Sequence, residues 1–404
     1  MPSLPPRQVR LVIVRPDGEP LGISPVLAVS TQWWPEMRPV VEVARQELGL
    51  RVIVLRLLEA ESEHGAVGGR VTYLAEVEAA PSDTVALDPW SGMLDEHPLR
   101  QKWARPGGPQ PDLALADGVL RGLELVPTGP AEQVRSWNLS SLWRIPVEGQ
   151  VVWLKHVPPF FGHEGAILAR LAGGPVPTLL GHDRGRILME EIPGVDLYGA
   201  EPAVLEELVR VLVALQVEWT GRTDELLRLG LPDWRDAALS PAIADVVERT
   251  ATELLPEERA TLSEFLDGLP ARFARVAANG LPDTLVHGDF HPGNARGDGS
   301  SLTLLDWGDS GVGHPLLDQA AFLDQIPGSG ARRIREVWHS SWRRAVPGSN
   351  PERAAALLAP IAAARQAVIY RIFLDGIEPS ERAYHRSDPA LWLRKTASAV
   401  RGEA

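Results

Sequence analysis

Residues 287–294 read "HGDFHPGN", which puts two histidines, an aspartate and an asparagine into eight positions. Such a cluster suits a transition-metal site, a catalytic base or a polar turn, and the flanking chain has to separate the three. Upstream, "DTLV" (283–286) has the β-branched and apolar residues of a short strand. Downstream, "ARGDGS" (295–300) carries the Gly-Asp-Gly of a tight turn, and "SLTLL" (301–305) is an apolar strand ending at Asp306 and Trp307. A hairpin at that turn folds the chain back and brings Asp306 near Asn294. A carboxylate and a carboxamide, both hard oxygen donors, then converge beside a second carboxylate, Asp289.

Magnesium carrying nucleotide phosphates takes one or two such oxygens from a protein and completes its shell with phosphate and water. With Asn294 and Asp306 as its ligands, Asp289 is left to accept the proton of an attacking hydroxyl. Phosphoryl transfer asks for little beyond positioning, charge neutralisation and one proton acceptor. Two upstream residues fit the same chemistry. Lys155 ends the strand "VVWLK" (151–155), where its ammonium can pair the α- and β-phosphates. Glu164 opens the next helix and can hold that lysine in an ion pair.

Further out, "RPGGPQPD" (105–112) has three prolines and two glycines and reads as the start of a linker over 105–130. Before it, residues 1–104 alternate β and α. "QVRLVIVRP" (8–16), "RVIVLRLLEAE" (51–61) and "GGRVTYLAEVEA" (68–79) read as strands, and "RPVVEVARQELGL" (38–50) as a helix closed by Gly49. After the linker, 131–157 reads as three strands, 162–173 as a helix and "RGRILMEEIPG" (184–194) as one more strand. The pattern then turns helical. "PAVLEELVRVLVALQVEW" (202–219) repeats apolar residues at helical spacing behind Pro202, and 256–280 and 351–376 read as further helices, the last kinked at Pro360. Residues 131–194 thus form a small β-rich lobe, and 195–404 a helical lobe with the catalytic loop on an isolated β pair.

Composition narrows the functions. The 404 residues carry 53 acidic and 40 basic side chains, a net charge of −13, with no long basic run, so nucleic acid and anionic membranes are poor partners. The acidic balance favours a cationic small molecule. There is no cysteine, which excludes disulfides, thiolate metal sites and cysteine nucleophiles. The N-terminus does not read as a signal peptide, and no apolar stretch approaches the ~18 residues that span a bilayer, so a cytoplasmic protein is expected.

From about residue 131 to 404 the chain resembles the aminoglycoside phosphotransferase and choline kinase-like superfamily, which shares the protein kinase-like fold. The resemblance is carried by His287, Gly288, Asp289 and Asn294, by an apolar strand ending in Asp306 and Trp307, and by "GVGHPLLDQA" (311–320). It implies that Asp289 is the catalytic base, that Asn294 and Asp306 hold Mg2+, and that Lys155 contacts the phosphates of ATP or GTP. It further implies that backbone groups at Met189, Glu190 and Glu191 meet the purine, that His287 buttresses the loop and that Asp318 braces it. The hairpin "SWNLSSLW" (136–143) lacks the glycine-rich phosphate cover of protein kinases, and Ser140 and Ser141 stand in its place. Asp309, Asp375 and Glu378 are candidate contacts for a cationic acceptor bearing a hydroxyl.

The N-terminal segment "EVARQELGLRVIVLRLLEAE" (42–61) resembles the helix and following strand of a Nudix hydrolase. Anchored on Gly49 and Leu50, that family's box falls on Ala28, Trp34, Glu42, Val43, Ala44, Gln46 and Glu47. Only Glu47 remains of its metal-binding acids, and one carboxylate does not hold a magnesium pyrophosphate. The expected fold class is therefore α+β: a two-lobed protein kinase-like phosphotransferase fold with an added N-terminal α/β Nudix-like domain that is not itself catalytic. Two other readings remain: a metal-dependent hydrolase using His287, Asp289 and His291, and a nucleotide-binding regulatory pseudokinase.

Overall fold

The computed structural model describes residues 6–61, 65–77, 87–326 and 328–402. The chain divides into two compact units: 1–160 with 179–191 and 373–386, and 161–178 with 192–372 and 387–404. The first unit contains both the segment expected as an N-terminal domain and the strands expected as the small lobe.

Two sheets build this unit. In the first, β1 (Arg7–Val14), β2 (Pro20–Ile23), β3 (Leu27–Val29), β4 (Ile53–Glu61) and β5 (Arg70–Glu76) run in the order β2-β1-β5-β4, with β3 also on β1 and the β1–β5 pair parallel. The second half of β1, Leu11 to Val14, is an unbroken apolar run because both its faces are covered there. Val9, Leu11 and Ile13 enter the core under α1 (Arg38–Leu48), while Val12 and Val14 enter a second core. Gly49 closes α1 in the left-handed conformation, φ 68° and ψ 13°, as the sequence implies. Residues 78 and 79 of the third expected strand lie outside the described residues.

Residues 105–130 are not a linker. Pro109 to Gly122 form α2, a 14-residue helix with prolines in its first turn, where a missing N–H costs nothing. Ala116 and Leu120 pack on Trp143, Ile145, Leu154 and Leu188 of the second sheet, and Asp112 Oδ2 lies 2.6 Å from His156 Nδ1. The proline-rich run read as a breaker is a helix start.

The second sheet is antiparallel, in the order β6-β7-β8-β10-β9: β6 (Glu132–Trp137), β7 (Ser140–Val147), β8 (Gln150–His156), β9 (Leu179–Asp183) and β10 (Arg186–Glu190). Only β9 is absent from the sequence reading. Along β8, Val152, Leu154 and His156 are buried on the α2 side, so Lys155 lies on the opposite face, paired across the sheet with Leu142 and Ile187.

The two sheets are stitched together at β4. Its register with β5 breaks between Val54 and Arg56 and again between Leu57 and Glu59. As the end strand of its sheet, β4 also has backbone groups that side chains take up. Gln133 Oε1 accepts Val54 N at 2.8 Å while its Nε2 donates to Val54 O at 2.7 Å, so the amide acts as a missing strand. Ser136 Oγ donates to Leu55 O, and Glu381 Oε1 accepts Leu57 N at 2.7 Å.

In the second unit β11 (Val195–Asp196), β13 (Ala295–Gly297) and β14 (Leu302–Leu304) form one small sheet, and β12 (Thr284–Val286) pairs with β15 (Gly311–Gly313). The expected β pair around the loop is thus split between two sheets. Ten helices complete the description: α3 (Glu164–Arg170), α4 (Pro202–Glu218), α5 (Thr223–Arg228), α6 (Asp236–Thr250), α7 (Pro256–Asp267), α8 (Leu269–Ala277), α9 (Leu317–Asp324), α10 (Gly328–Ala345), α11 (Pro351–Gly376) and α12 (Asp388–Arg401). The helix expected over 256–280 is two, meeting at Gly268. The helix α11 runs unbroken through Pro360, and its last turn belongs to the first unit. Contrary to the sequence reading, α11 is long and apolar enough to pass for a bilayer span, with mean hydropathy 1.4. However, 61% of that window is buried inside the protein, as in the core helix of a globular fold.

A buried ion pair makes the first unit testable. Arg100 holds Glu378 through three contacts of 2.8 to 3.1 Å, with Arg56 Nε 3.6 Å away, and all three side chains are buried. Removing one partner strands the other charge in a dry site. Arg100→Ala is expected to cost about 3 kcal/mol, read as a fall in the urea midpoint, with Arg100→Lys recovering only part because the bidentate fork is lost.

Candidate active site

The strand β12 delivers the loop that opens the sequence analysis. Immediately after it, the amides of His287 and Gly288 donate to the two oxygens of Asp318 at 2.9 and 2.7 Å. Gln216 Nε2, from α4, donates to the same carboxylate at 2.9 Å. Burial pushes Asp318 up to about 6, against the pull of these amides and of Arg365, which leaves it ionised at neutral pH. Gly288 sits at φ +92°, and a Cβ there would lie 2.0 Å from Asp309 O, so only glycine fits.

The imidazole of His287 is buried against the Trp307 ring, with centroids 4.5 Å apart, and its Nε2 is 2.9 Å from Leu305 O. Burial pushes its pKa down to about 4, so it is neutral and donates Nε2–H to that carbonyl. The resemblance implies a buttress, and this geometry is one. Asp289, two residues on, keeps 43% of its side chain exposed.

The hairpin forms at the expected turn. Ala295 pairs with Leu304, and Leu305 N donates to Asn294 O at 2.8 Å, which brings Asn294 beside the end of β14. Asp298 caps the turn by accepting the amides of Ser300 and Ser301. Asn294 Nδ2 donates to Asp289 O at 2.9 Å and to Asp289 Oδ2 at 2.8 Å. Both bonds orient the amide, so Oδ1 is the atom available to a cation. One residue past the hairpin, Asp306 is exposed in the left-handed conformation, φ 59° and ψ 67°, which non-glycine residues seldom adopt. Glu164, buried at the start of α3, accepts the next amide, Trp307 N, at 3.2 Å. A carboxamide oxygen and a carboxylate presented this way match the hard donors that magnesium takes.

Residues 150–357, a little over half of the chain, match the family model described as "Phosphotransferase enzyme family". The chain belongs to this phosphotransferase family. It is an enzyme that transfers phosphate to a hydroxyl of a small molecule. A choline kinase from Cryptosporidium parvum Iowa II superposes with a TM-score of 0.51 at 12% identity, covering 72% of this chain and 97% of that chain. A macrolide 2'-phosphotransferase from Brachybacterium faecium gives 0.49 at 18% identity, covering 68% and 97%. The first likeness shows the kinase-like phosphotransferase fold. No curated protein matches the chain.

Several residues expected to serve the phosphotransferase site are occupied otherwise. Ser140 and Ser141 do not form an open phosphate cover. Both are buried, their hydroxyl oxygens accepting the indole N–H of Trp137 and Trp143 at 3.1 and 2.9 Å. Glu378 is no acidic wall for an acceptor, since Arg100 and Arg56 neutralise it in the interior. Asp375 remains exposed. Met189 and Glu190 lie within β10, and Glu191 follows it with its amide donating to Val151 O at 3.1 Å and its carboxylate accepting the Trp153 indole N–H. Among the described residues no group of three or more His, Cys, Asp or Glu is placed to hold a metal, and His287 faces inward, away from the role the hydrolase reading needs.

Other residues the sequence analysis passed over carry the loop. Arg365, buried on α11, donates to Gly288 O and to Asp309 O, both at 3.2 Å, with its guanidinium over the Trp234 ring. Its signal was legible, because it is the only charged side chain between Arg353 and Arg371. Tyr198, 58% exposed, stacks on His291 and brings its hydroxyl 3.2 Å from Nδ1. No local pattern marks it. Arg365→Met keeps the packing volume but leaves both carbonyls without this donor. Hydrogen bonds from a charged group are worth about 1.5–3 kcal/mol, so kcat is expected to fall at least about ten-fold. Steady-state kinetics and nucleotide titration check this, with the circular dichroism spectrum unchanged.

Proposed function

We propose that the protein transfers the terminal phosphate of ATP or GTP, as its magnesium complex, to a hydroxyl of a cationic small molecule such as an aminoglycoside or amino sugar. The observation that carries this reading is the Asn294–Asp289 pair. One amide nitrogen holds the carboxylate through Oδ2, leaving Oδ1 of Asp289 for the acceptor hydroxyl, and turns the amide oxygen toward a metal. Magnesium, held by Asn294 and Asp306, would supply charge neutralisation across the terminal phosphates. Lys155 pairs the phosphates, backbone groups of Met189 to Glu191 meet the purine, and Glu164 supports the site. As the acceptor oxygen bonds to the terminal phosphorus, its proton passes to Asp289 and the bond to the leaving nucleoside diphosphate breaks.

A cationic acceptor is supported by the charges around the base. The Tyr370 hydroxyl is pushed up by burial and then by the carboxylates of Asp388, Asp289 and Asp309, and Arg365 is the cation on which Asp309 and Asp289 also act. An amine-bearing substrate balances that charge, whereas a neutral one does not. The N-terminal sheet and α1 are read as a Nudix-like module without hydrolytic chemistry.

Asp289→Asn is expected to lower acceptor-dependent ADP or GDP release by about 10²- to 10⁴-fold, the range general bases contribute, with nucleotide affinity nearly intact. Asp306→Asn should weaken magnesium–nucleotide binding as well. The assay is diphosphate release against a panel of aminoglycosides, amino sugars, choline and homoserine, paired with calorimetric nucleotide titration. Full turnover by Asp289→Asn would refute the mechanism.

A further inference from the structure

Aromatic side chains in this protein are packed inward with few exceptions. Among the described residues only Trp33 and Tyr198 are exposed, and Tyr198 belongs to the second unit. It follows β11, an edge strand of the sheet whose hairpin brings Asn294 and Asp306 together. An exposed tyrosine is often no more than a solvated side chain, but this one is fixed in place. Leu197 is buried, and its amide donates to Pro292 O at 3.1 Å. The Tyr198 amide donates to Asp196 Oδ1 at 3.1 Å. Gly293 supplies the space for the ring. Its backbone is not left-handed, yet a Cβ there would fall 2.2 Å from Tyr198 Cε2 and 2.4 Å from Cζ. Glycine is needed at 293 because the ring lies directly on the 287–294 loop.

One side of the ring packs on His291, with centroids 5.7 Å apart and planes 25° from parallel. The hydroxyl is 3.2 Å from Nδ1, and the Gly293 amide, donating to the same nitrogen at 3.1 Å, fixes the imidazole. The other imidazole nitrogen, Nε2, is 3.6 Å from Asp289 Oδ2. A single imidazole therefore separates Tyr198 from the proposed base. Burial, and then the carboxylates of Asp289 and Asp196, push the Tyr198 hydroxyl up, so it stays protonated at neutral pH. More than half of the side chain is open to solvent. A fixed aromatic face loses little freedom when a ligand covers it. It takes up apolar ring surface, and its quadrupole attracts ammonium groups. The exposed carboxylate of Asp196 adds negative charge beside it.

We propose that Tyr198 is a specificity-determining residue: its open face is the platform for a cyclic, amine-bearing acceptor whose hydroxyl meets Asp289. This rests on the phosphotransferase reading given above, which puts that hydroxyl at Asp289 Oδ1. A sugar or cyclitol bound there has ring carbons and amines adjoining the reacting hydroxyl. They extend past His291 onto Tyr198, whose face covers the apolar side of the ring or receives an ammonium. A short chain such as homoserine has no ring to lay there. The platform thus selects cyclic amino alcohols over short linear ones, and the selection acts through acceptor binding.

The test compares the full-length wild type with Tyr198→Leu and Tyr198→Phe. Release of ADP or GDP is measured with glucosamine, 2-deoxystreptamine, kanamycin and homoserine as acceptors, and binding of each compound is titrated separately by calorimetry. Tyr198→Leu keeps apolar bulk but loses the π face, so KM for the cyclic acceptors should rise about five-fold. Binding shared by ground and transition states moves KM alone, so kcat and the nucleotide KM should change less than about two-fold. Tyr198→Phe restores the ring and should recover most of the loss. An unchanged acceptor KM in Tyr198→Leu, or a rise confined to the nucleotide KM, would overturn the platform. So would a loss that Tyr198→Phe does not recover, because the hydroxyl and not the face would then be responsible. Turnover of homoserine alone, or binding of none of the cyclic amines, would also overturn it. If the cyclic amines bind in a Tyr198-dependent way and no diphosphate is released with any acceptor, the phosphotransfer reading fails and the platform stands.

Discussion

A buried carboxylate that accepts two consecutive backbone amides holds the 287–294 loop in place. Asp318 receives His287 N and Gly288 N on separate oxygens, and Gln216 supplies a third donor. A charge in the interior is tolerated only when its lone pairs are filled, and here the filling is done by the backbone just before Asp289. The peptide cannot rotate without unsatisfying the carboxylate. Arg365 closes the other side of that peptide by holding the Gly288 carbonyl, and the same guanidinium holds the carbonyl of Asp309. The loop is thus gripped on its N–H and C=O faces by opposite charges from two helices.

Downstream, the same economy recurs with a neutral group. Asn294 spends both hydrogens of its amide on Asp289, so the proposed base and one proposed metal ligand share an orientation. The turn capped by Asp298 sets the length of the hairpin, and the hairpin sets where Asp306 leaves it. Because Asp306 adopts a left-handed backbone, the chain turns sharply there, and Glu164 takes up the following amide. Strain at one residue is offset by a buried acceptor at the next.

The first unit is held by a different device. The strand β4 ends its sheet, and Gln133 and Glu381 meet the amides of Val54 and Leu57 with side-chain oxygens. Unsatisfied amides in a buried strand cost more than most surface contacts return, so these two residues bind the N-terminal sheet to the sheet that carries Lys155. A proline-rich boundary in the sequence therefore marks the start of a helix within one unit.

The sequence by itself determined what depends on near neighbours. The spacing of Asp289, Asn294 and Asp306 across a Gly-Asp-Gly turn specifies the hairpin, Gly49 specifies the end of α1, and Pro202 the start of α4, because each rests on bonds within a few residues. The hydrophobic period of β8 likewise put Lys155 on one face of its strand. Tertiary structure decided what depends on a distant partner. Glu378 looks like a surface polar residue in isolation, but two guanidiniums far away in the chain take up its carboxylate. Arg365 stood out as a lone charge in an apolar run, yet its targets lie 77 and 56 residues away. Periodicity tells which side chains share a face. It does not tell what covers that face, and here the cover decides which polar groups remain for chemistry.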